Sequence, residues 1–343
     1  MDYAAIDLHK TASQIRIICN GEIQDCRVPT TRDRLRLTFE HRAPMRILIE
    51  AATESEWVAQ ELEALGHEVI VADPNYTPMY GERSRRVKTD RRDVAALAEA
   101  CRLGIYRPVH RRSPSHWALQ WQLNVRDQLV WSRSRSMSLI RSVARMGGVH
   151  LLSGHADSFL TRVEITDMPE AVRTAILPLQ ALIRELTAQI AATDHQIAHT
   201  AEVNPAMQRL MSFPGVGPIT AAAFVAALDD VAAFRGPSQV TSYLGLVPRE
   251  YSSGEQQRRG RIVPSAHPRV QRLLVQAAWC IWRSTNPETQ ALRDWARAIG
   301  QRRGKRVAAV ALARRVARIL FAMWRDQTNY APSRIRSPRS AAA

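Results

Sequence analysis

The segment Tyr3-Ala4-Ala5-Ile6-Asp7 is a short apolar run that ends in a carboxylate, and it opens the first third of the chain. A second run, Met45–Glu50, has the same form and also ends in an acid. Short runs of β-prone residues are typical of buried strands. Farther along, Thr89-Asp90-Arg91-Arg92-Asp93 opens an apolar-periodic segment whose two acids share one face of a helix start. The sequence therefore predicts acids at two strand ends and one helix start.

Acidic side chains brought together from these three places form a candidate metal site. Asp7, Glu50, Asp90 and Asp93 would repel one another unless a cation lay between them. Clusters made of oxygen ligands alone suit Mg²⁺ or Mn²⁺. A carboxylate site that holds two such metals is the usual apparatus for cleaving phosphodiester bonds. The quartet therefore indicates phosphodiester chemistry.

The order of elements around the quartet predicts an RNase H-like α/β layer. A hairpin-rich start is followed by alternating strands and helices, with acids at the strand ends. We predict strands at 3–7, 14–19, 23–28, 46–50 and 68–72, and helices at 31–41, 54–65 and 89–103. This α/β domain is assigned residues 1–108.

The charge of the chain is unevenly distributed, although its 343 residues carry +16 overall. Residues 1–104 contain 15 lysines and arginines against 17 acids, whereas residues 105–343 contain the other 33 against 15, a balance of +18. A near-neutral N-terminal part and a basic C-terminal part favour a catalytic domain joined to a region that binds nucleic acid rather than an anionic membrane. With no signal segment or membrane span expected, an intracellular, soluble protein is predicted.

The middle of the chain, residues 109–203, is predicted to form a helical arm. Residues 114–144 and 179–199 show apolar side chains at helical spacing, with a glycine-containing break between them. Two such helices are typical of an antiparallel coiled coil. One stripe on the first helix is predicted to pack in a core or against a helix partner rather than to stack on bases. It consists of Trp117, Trp121, Val125 and Leu129.

Residues 204–328 are predicted to form a compact α-helical domain with a hairpin-like insert at 249–263. Near its start, Pro214-Gly215-Val216-Gly217 lies between two helices and has the form of a helix-hairpin-helix element. Gly215 and Gly217 would expose backbone N–H groups at a helix N-terminus, where phosphate is favoured; an ordinary glycine-rich turn is the alternative. The last residues, 329–343, are rich in Ser, Pro, Arg and Ala and are predicted to be disordered.

Two basic segments supply candidate contacts to a nucleic-acid backbone. The candidates are Arg85, Arg86, Lys88, Arg258, Arg259 and Arg261. The first three closely precede Asp90, and the others follow the turn Ser252-Ser253-Gly254. Cations beside a metal site are what positioning a phosphodiester requires, whereas a solvated loop and a structural turn are the alternatives. A lone serine beside cations is by itself a weak sign of a nucleophile.

Five stretches taken together resemble the DEDD transposases of bacterial insertion sequences, the family of bridge-RNA-guided serine recombinases. They are Ala5–Lys10, Ile49–Ala51, Lys88–Val94, Pro214–Gly217 and Gly245–Gly254. The resemblance covers roughly residues 3–325, in the family's order. By position, the family's catalytic, metal-binding quartet corresponds to Asp7, Glu50, Asp90 and Asp93, and its nucleophilic serine corresponds to Ser253.

The resemblance implies an architecture and a reaction. The architecture is a RuvC-like α/β domain with Mg²⁺ or Mn²⁺ on the quartet, a coiled-coil arm, and a helical transposase domain that carries the serine. In the implied reaction, Ser253 attacks a phosphodiester so that a mobile element is excised and inserted. The implied partners are donor DNA, target DNA and a structured non-coding guide RNA. Homodimers would pair into tetramers in the bacterial cytoplasm, at the nucleoid.

Other interpretations compete with this one. A metal-dependent, structure-specific nuclease of the junction-resolvase kind would need the quartet but no serine. An actin-like phosphotransferase also opens with a strand ending in aspartate, yet it should show a second glycine-rich phosphate loop, and residues 150–200 contain none. A purely architectural DNA-binding protein gives no reason for the quartet. A recombinase is therefore favoured.

Overall fold

The computed structural model describes residues 1–80, 89–250, 259–263 and 267–334, apart from the side chains of Pro114, Glu250, Arg259 and Arg334. The chain divides into two compact units between Arg112 and Ser113.

The first unit contains a five-stranded sheet in the order β3-β2-β1-β4-β5. The strands are β1 Asp2–Asp7, β2 Ala12–Cys19, β3 Glu22–Pro29, β4 Met45–Glu50 and β5 Glu68–Ala72. The first three are antiparallel neighbours, whereas β1, β4 and β5 run parallel. Asn20 (φ 51°) and Gly21 (φ 85°) both take left-handed conformations between β2 and β3, as the tightest hairpin turns require. This mixed sheet fits the predicted RNase H-like layer.

Helices cover both faces of this sheet because alternate strand residues point in opposite directions. The helices are α1 Arg32–Phe39, α2 Ser55–Ala64 and α3 Asp90–Leu103. On one face Ile47 and Ile49 pack in a core with side chains of α1 and α2. On the other face Leu48 packs with side chains of α3. Burial of β4 on both faces explains why its sequence is almost continuously apolar.

The first unit extends past the predicted boundary at residue 108. Arg111 forms ion pairs with Glu56, at 3.0 Å, and with Glu63, and both acids belong to α2. These contacts attach residues 109–112 to the α/β unit, where the sequence had placed the start of the arm.

The second unit is helical. Its helices are α4 Pro114–Met146, α5 Phe159–Ile165, α6 Glu170–Val203, α7 Pro205–Met211, α8 Pro218–Leu228, α9 Pro237–Tyr243, α10 Pro268–Arg283, α11 Gln290–Arg303 and α12 Lys305–Arg325. A short hairpin pairs β6 Pro248–Glu250 with β7 Arg259–Ile262. Within the described ranges, every helix is too short or too polar to span a bilayer.

The two long helices α4 and α6 lie antiparallel. Arg126 in the first half of α4 pairs with Asp194 in the second half of α6, and Arg133 donates to Thr187 at 3.5 Å. Their far ends form a separate small core with α5. Their near ends, however, share the largest core of the unit with α7, α8, α10, α11 and α12. Residues on both sides of the predicted boundary at 203–204 thus share one core.

Two predictions for this unit differ from the structure. Trp121 and Val125 of the α4 stripe do not pack in the core of this chain but are 61% and 56% exposed, because Leu119 and Leu123 occupy the face of α4 that packs there. Packing of the stripe against a helix partner stays a prediction. The predicted disordered tail begins too early, since the backbone N–H of Tyr330 donates to Ser212 Oγ at 2.9 Å. Residues 335–343 lie outside the described part of the chain.

Candidate active site

The four acids of the predicted quartet line one cavity of about 440 Å³ in the first unit. The parallel register places Ile6 of β1 opposite Ile49 of β4, so the next residues, Asp7 and Glu50, leave the sheet at the same end. Asp90 and Asp93 enter the cavity from the first turn of α3. The fold therefore brings together all four acids of the predicted metal site.

A capping residue fixes where α3 begins. Thr89 has an extended backbone, and its side-chain oxygen accepts a hydrogen bond from the Arg92 N–H at 3.4 Å. Such a cap satisfies one of the unpaired N–H groups of a helix start. It places Asp90 in the first turn, where the helix dipole favours negative charge.

An ion-pair chain ties this helix start to the sheet. Arg91 donates to Asp25 of β3 at 3.1 Å, and Asp25 also binds Arg16 of β2 at 2.6 and 2.7 Å. The hydrogen bond from Arg16, with that from Arg91, holds the pKa of Asp25 below its usual value. The residue beside Asp90 is thus anchored to two strands.

The carboxyl of Asp7 is acted on by opposing electrostatic influences. Burial raises the pKa of its carboxyl, His9 lowers it, and the carboxylates of Glu50, Asp90 and Asp93 raise it again. The Asp7 side chain is only 14% exposed. A cation bound among the acids would oppose the rise in the pKa of Asp7, because it would favour the ionised form of each ligand.

Two residues of the site were missed by the sequence reasoning. His9 Nε2 lies 3.6 Å from Asp7 Oδ2 and 3.6 Å from Asp90 Oδ2. Its position two residues after the strand-end Asp7 was the available signal. Tyr80 donates from its hydroxyl to Glu50 Oε2 at 2.7 Å, and no local pattern predicts a contact between residues 30 positions apart.

The donor set fits a hard divalent cation. Ligand atoms of Asp7, His9 and Asp90 all lie within 4.8 Å of one another. Glu50 lines the same cavity, and Asp93, which is 7% exposed, brings a buried carboxylate. Carboxylate oxygens are the ligands that Mg²⁺ and Mn²⁺ prefer.

The structure places only some of the other predicted site residues. Gly215 has φ +92° in the α7–α8 connection, which favours glycine, and Gly217 immediately precedes α8. Arg261 is exposed on β7, and Arg259 belongs to the same strand. The candidates that lie outside the described residues are Arg85, Arg86, Lys88, Ser252, Ser253 and Arg258.

Comparison with known proteins gives consistent results. Residues 207–293 match the model of the transposase IS116/IS110/IS902 family, and residues 4–145 match a transposase model of the DEDD, IS110 type. A probable family 20 transposase of Pseudomonas aeruginosa is 31% identical over 333 residues, covering 95% of this chain and 98% of that protein. The transposase for insertion sequence element IS1111A of Coxiella burnetii is 31% identical over 71% of this chain and 68% of its own length. The transposase for IS1328 of Yersinia enterocolitica is 25% identical over 81% and 83%.

Proposed function

The chain belongs to the IS110-type DEDD transposases of insertion sequences, and from that premise we propose that it recombines DNA through a metal-assisted serine–phosphodiester intermediate. The main support for metal dependence is that four acids line one cavity, namely Asp7, Glu50, Asp90 and Asp93. The serine half is supported by the position of Ser253 before Gly254, which matches the family pattern.

The quartet would hold the metal, Mg²⁺ or Mn²⁺, which when bound supplies Lewis-acid stabilisation of charge on the scissile phosphate. The residues of the chain fix the geometry of the site. Tyr80 orients the Glu50 carboxylate through its 2.7 Å hydrogen bond. Thr89 and Arg91 hold the start of α3, so Asp90 and Asp93 keep their positions relative to the strand ends.

Ser253 is the proposed nucleophile. A bond would form between its Oγ and phosphorus while the bond from phosphorus to the 3′-oxygen breaks, and the serine proton would pass to the leaving 3′-oxygen. The product would be a 5′-phosphoserine link and a free 3′-hydroxyl. Reversal of this step after strand exchange would rejoin the DNA without a nucleotide cofactor. Ser253 and the quartet would come from different subunits, in a composite site.

The nucleic-acid interface is proposed to involve both basic segments and the α7–α8 turn. Its proposed backbone contacts are Arg85, Arg86, Lys88, Arg258, Arg259 and Arg261. The turn, interpreted as a helix-hairpin-helix, would bind phosphate through N–H groups near Gly215 and Gly217. The balance of +18 over residues 105–343 supports an electrostatic surface of this kind.

The proposed assembly has three functional parts and several partners. The catalytic domain would comprise residues 1–112. The coiled-coil arm would lie within residues 113–203, and the serine-bearing domain, residues 204–328, would share its core with the near ends of α4 and α6. The antiparallel pairing of α4 and α6 supports the arm. Donor DNA, target DNA and a structured guide RNA are the proposed ligands, bound by homodimers that pair into tetramers at the bacterial nucleoid.

The alternative is a metal-dependent structure-specific nuclease, for which the quartet alone would suffice. A strand-cleavage assay on the ends of the insertion sequence tests both. Asp7→Ala, Glu50→Ala and Asp90→Ala should abolish cleavage while the proteins remain folded, and full cleavage by Asp7→Ala in EDTA would refute the metal mechanism. Cleavage that persists in Ser253→Ala would favour the nuclease over the recombinase.

A further inference from the structure

The second unit contains a cavity of about 840 Å³ whose wall is partly cationic and partly apolar. Arg314, Arg315 and Arg318 of α12 line it, together with apolar side chains that include Trp295 and Met323. On the opposite side of α12, Leu312, Val316 and Leu320 are fully buried in the core of the unit. The three arginines therefore lie on the side of α12 that faces away from the core of the unit.

The cations of this cavity are crowded and partly removed from water. The Arg315 guanidinium lies 4.7 Å from the centre of the Trp295 ring, which holds its orientation. Burial and the nearby Arg318 both lower the pKa of Arg315, with burial the larger cause. The Nε of Arg314 is buried and has no hydrogen-bond partner in the part of the chain that the structure describes. Such an arrangement costs free energy, which a bound anion would offset.

The far wall of the cavity is built by the chain that follows α12. Gln327 takes a left-handed conformation (φ 53°), and the chain turns back so that Tyr330 faces the arginines. The Tyr330 hydroxyl donates to the Glu288 carbonyl at 2.8 Å, and its ring packs edge-on against Phe213, 4.6 Å between centres. This wall is consequently a fixed part of the unit, and it touches the start of the α7–α8 connection.

Among the described residues that line the cavity, the acid is Asp326, and it is already paired. Asp326 lines the cavity, and its two oxygens bind Arg325 at 2.7 and 3.1 Å. Arg325 is not among the lining residues, so Asp326 is held toward a cation outside the cavity. The balance of charge inside the cavity remains positive.

We propose that this cavity binds a nucleotide of the DNA strand, with its phosphate on Arg314, Arg315 and Arg318 and its sugar or base against the apolar wall. Its volume is in the range of about 300–1,000 Å³ typical of pockets for ligands of this size. Guanidinium groups match phosphate in charge and geometry. DNA is the ligand because the proposed function requires it, so this inference rests on that function.

The test measures binding of the full-length protein to a mixed-sequence DNA duplex with a single-stranded gap, in EDTA, across a range of salt concentrations. Arg314→Ala and Arg318→Ala should each weaken binding by roughly tenfold and lower the salt slope by about one. Arg318→Lys, which keeps the charge, should retain the wild-type slope. Arg303→Ala is the matched control, since Arg303 is exposed at the end of α11 and lies outside the cavity.

Each other outcome decides against the proposal in a distinct way. Equal effects of all three alanine variants would indicate general electrostatics and overturn the cavity site, while the proposed function would stand. Wild-type protein that binds DNA without salt dependence would refute the proposed function itself. The same alanine variants are also tested for binding to an RNA hairpin and to polyglutamate. If they lose affinity for the RNA hairpin but keep wild-type affinity for the gapped duplex, the assignment of the ligand as DNA is overturned. If they lose affinity for polyglutamate while DNA binding is unchanged, the cavity is instead a site for an acidic protein segment. Arg318 is exposed, so its variants test the site even if Arg314→Ala fails to fold.

Discussion

Asp7→Asn should stabilise the metal-free protein while destroying its response to metal. The pKa of Asp7 is raised from 3.8, chiefly by burial and with added repulsion from Glu50, Asp90 and Asp93. A folded state that holds a proton more tightly than the unfolded state loses stability as pH rises from 3.8 through the folded pKa. At pH 7 the ionised Asp7 therefore destabilises the fold, and a neutral amide of the same shape removes that penalty.

The same change should nearly abolish stabilisation by Mg²⁺. A ligand at about 100 times its dissociation constant stabilises a protein by about 2.7 kcal/mol. If loss of one carboxylate weakens binding ~100-fold, only about 0.4 kcal/mol remains at the same concentration. For a domain of roughly 100 residues, 1 kcal/mol corresponds to about 4–8 °C in melting temperature. Wild-type protein should thus gain about 11–22 °C from Mg²⁺, and the variant about 2–3 °C.

Differential scanning calorimetry at pH 7, with EDTA or Mg²⁺, measures both effects. Glu22→Gln is the control, because it removes an exposed charge from the β2–β3 hairpin of the same unit. It should leave the response to Mg²⁺ at the wild-type level. An Asp7→Asn protein that melts below wild type in EDTA, and still gains the full shift with Mg²⁺, would refute the interpretation of the quartet as a metal site.

Three further predictions concern the residues around the site and the basic surface. Tyr80→Phe should lower strand cleavage by roughly 10–100-fold with little loss of stability, because it removes the hydrogen bond that orients Glu50 and keeps the aromatic ring; unchanged cleavage in a kinetic assay would argue against this orienting role. Thr89→Ala should cost about 1 kcal/mol of unfolding free energy through loss of the α3 cap, measured by urea denaturation, with Thr89→Ser as the variant that keeps the cap. Binding to duplex DNA should fall by ~10³-fold or more between about 50 and 200 mM salt if six or more phosphates are contacted; a flat profile in fluorescence anisotropy would contradict an electrostatic surface.

The sequence predicted the sheet and the quartet because both depend on local patterns. Burial of β4 on both faces of the sheet makes an apolar run that ends at Glu50, and the parallel pairing of β1 with β4 brings Asp7 to the same edge. The spacing of Asp90 and Asp93 predicted where α3 begins. The sequence analysis did not predict that Thr89, immediately before the acids, caps this helix.

Contacts between distant segments could not be predicted from local patterns. Tyr80 reaches Glu50 only because the chain after β5 passes back over the strand ends. Tyr330 packs on Phe213 although its neighbours in sequence have the composition of a disordered tail. Trp121 has the spacing of a core residue on α4, but helical spacing alone does not decide which of two apolar faces is buried.

The most direct test of the central claim is covalent capture of DNA by the protein. A nicked suicide substrate should yield a protein–DNA adduct linked through a 5′-phosphate, which denaturing gels detect and peptide mass spectrometry locates. Ser253→Ala should eliminate the adduct, whereas Ser252→Ala, its neighbour and matched control, should retain it. Mixing Asp7→Ala with Ser253→Ala protein should partly restore activity if the site is shared between subunits. An adduct that survives Ser253→Ala, or that maps to Ser252, would contradict the account.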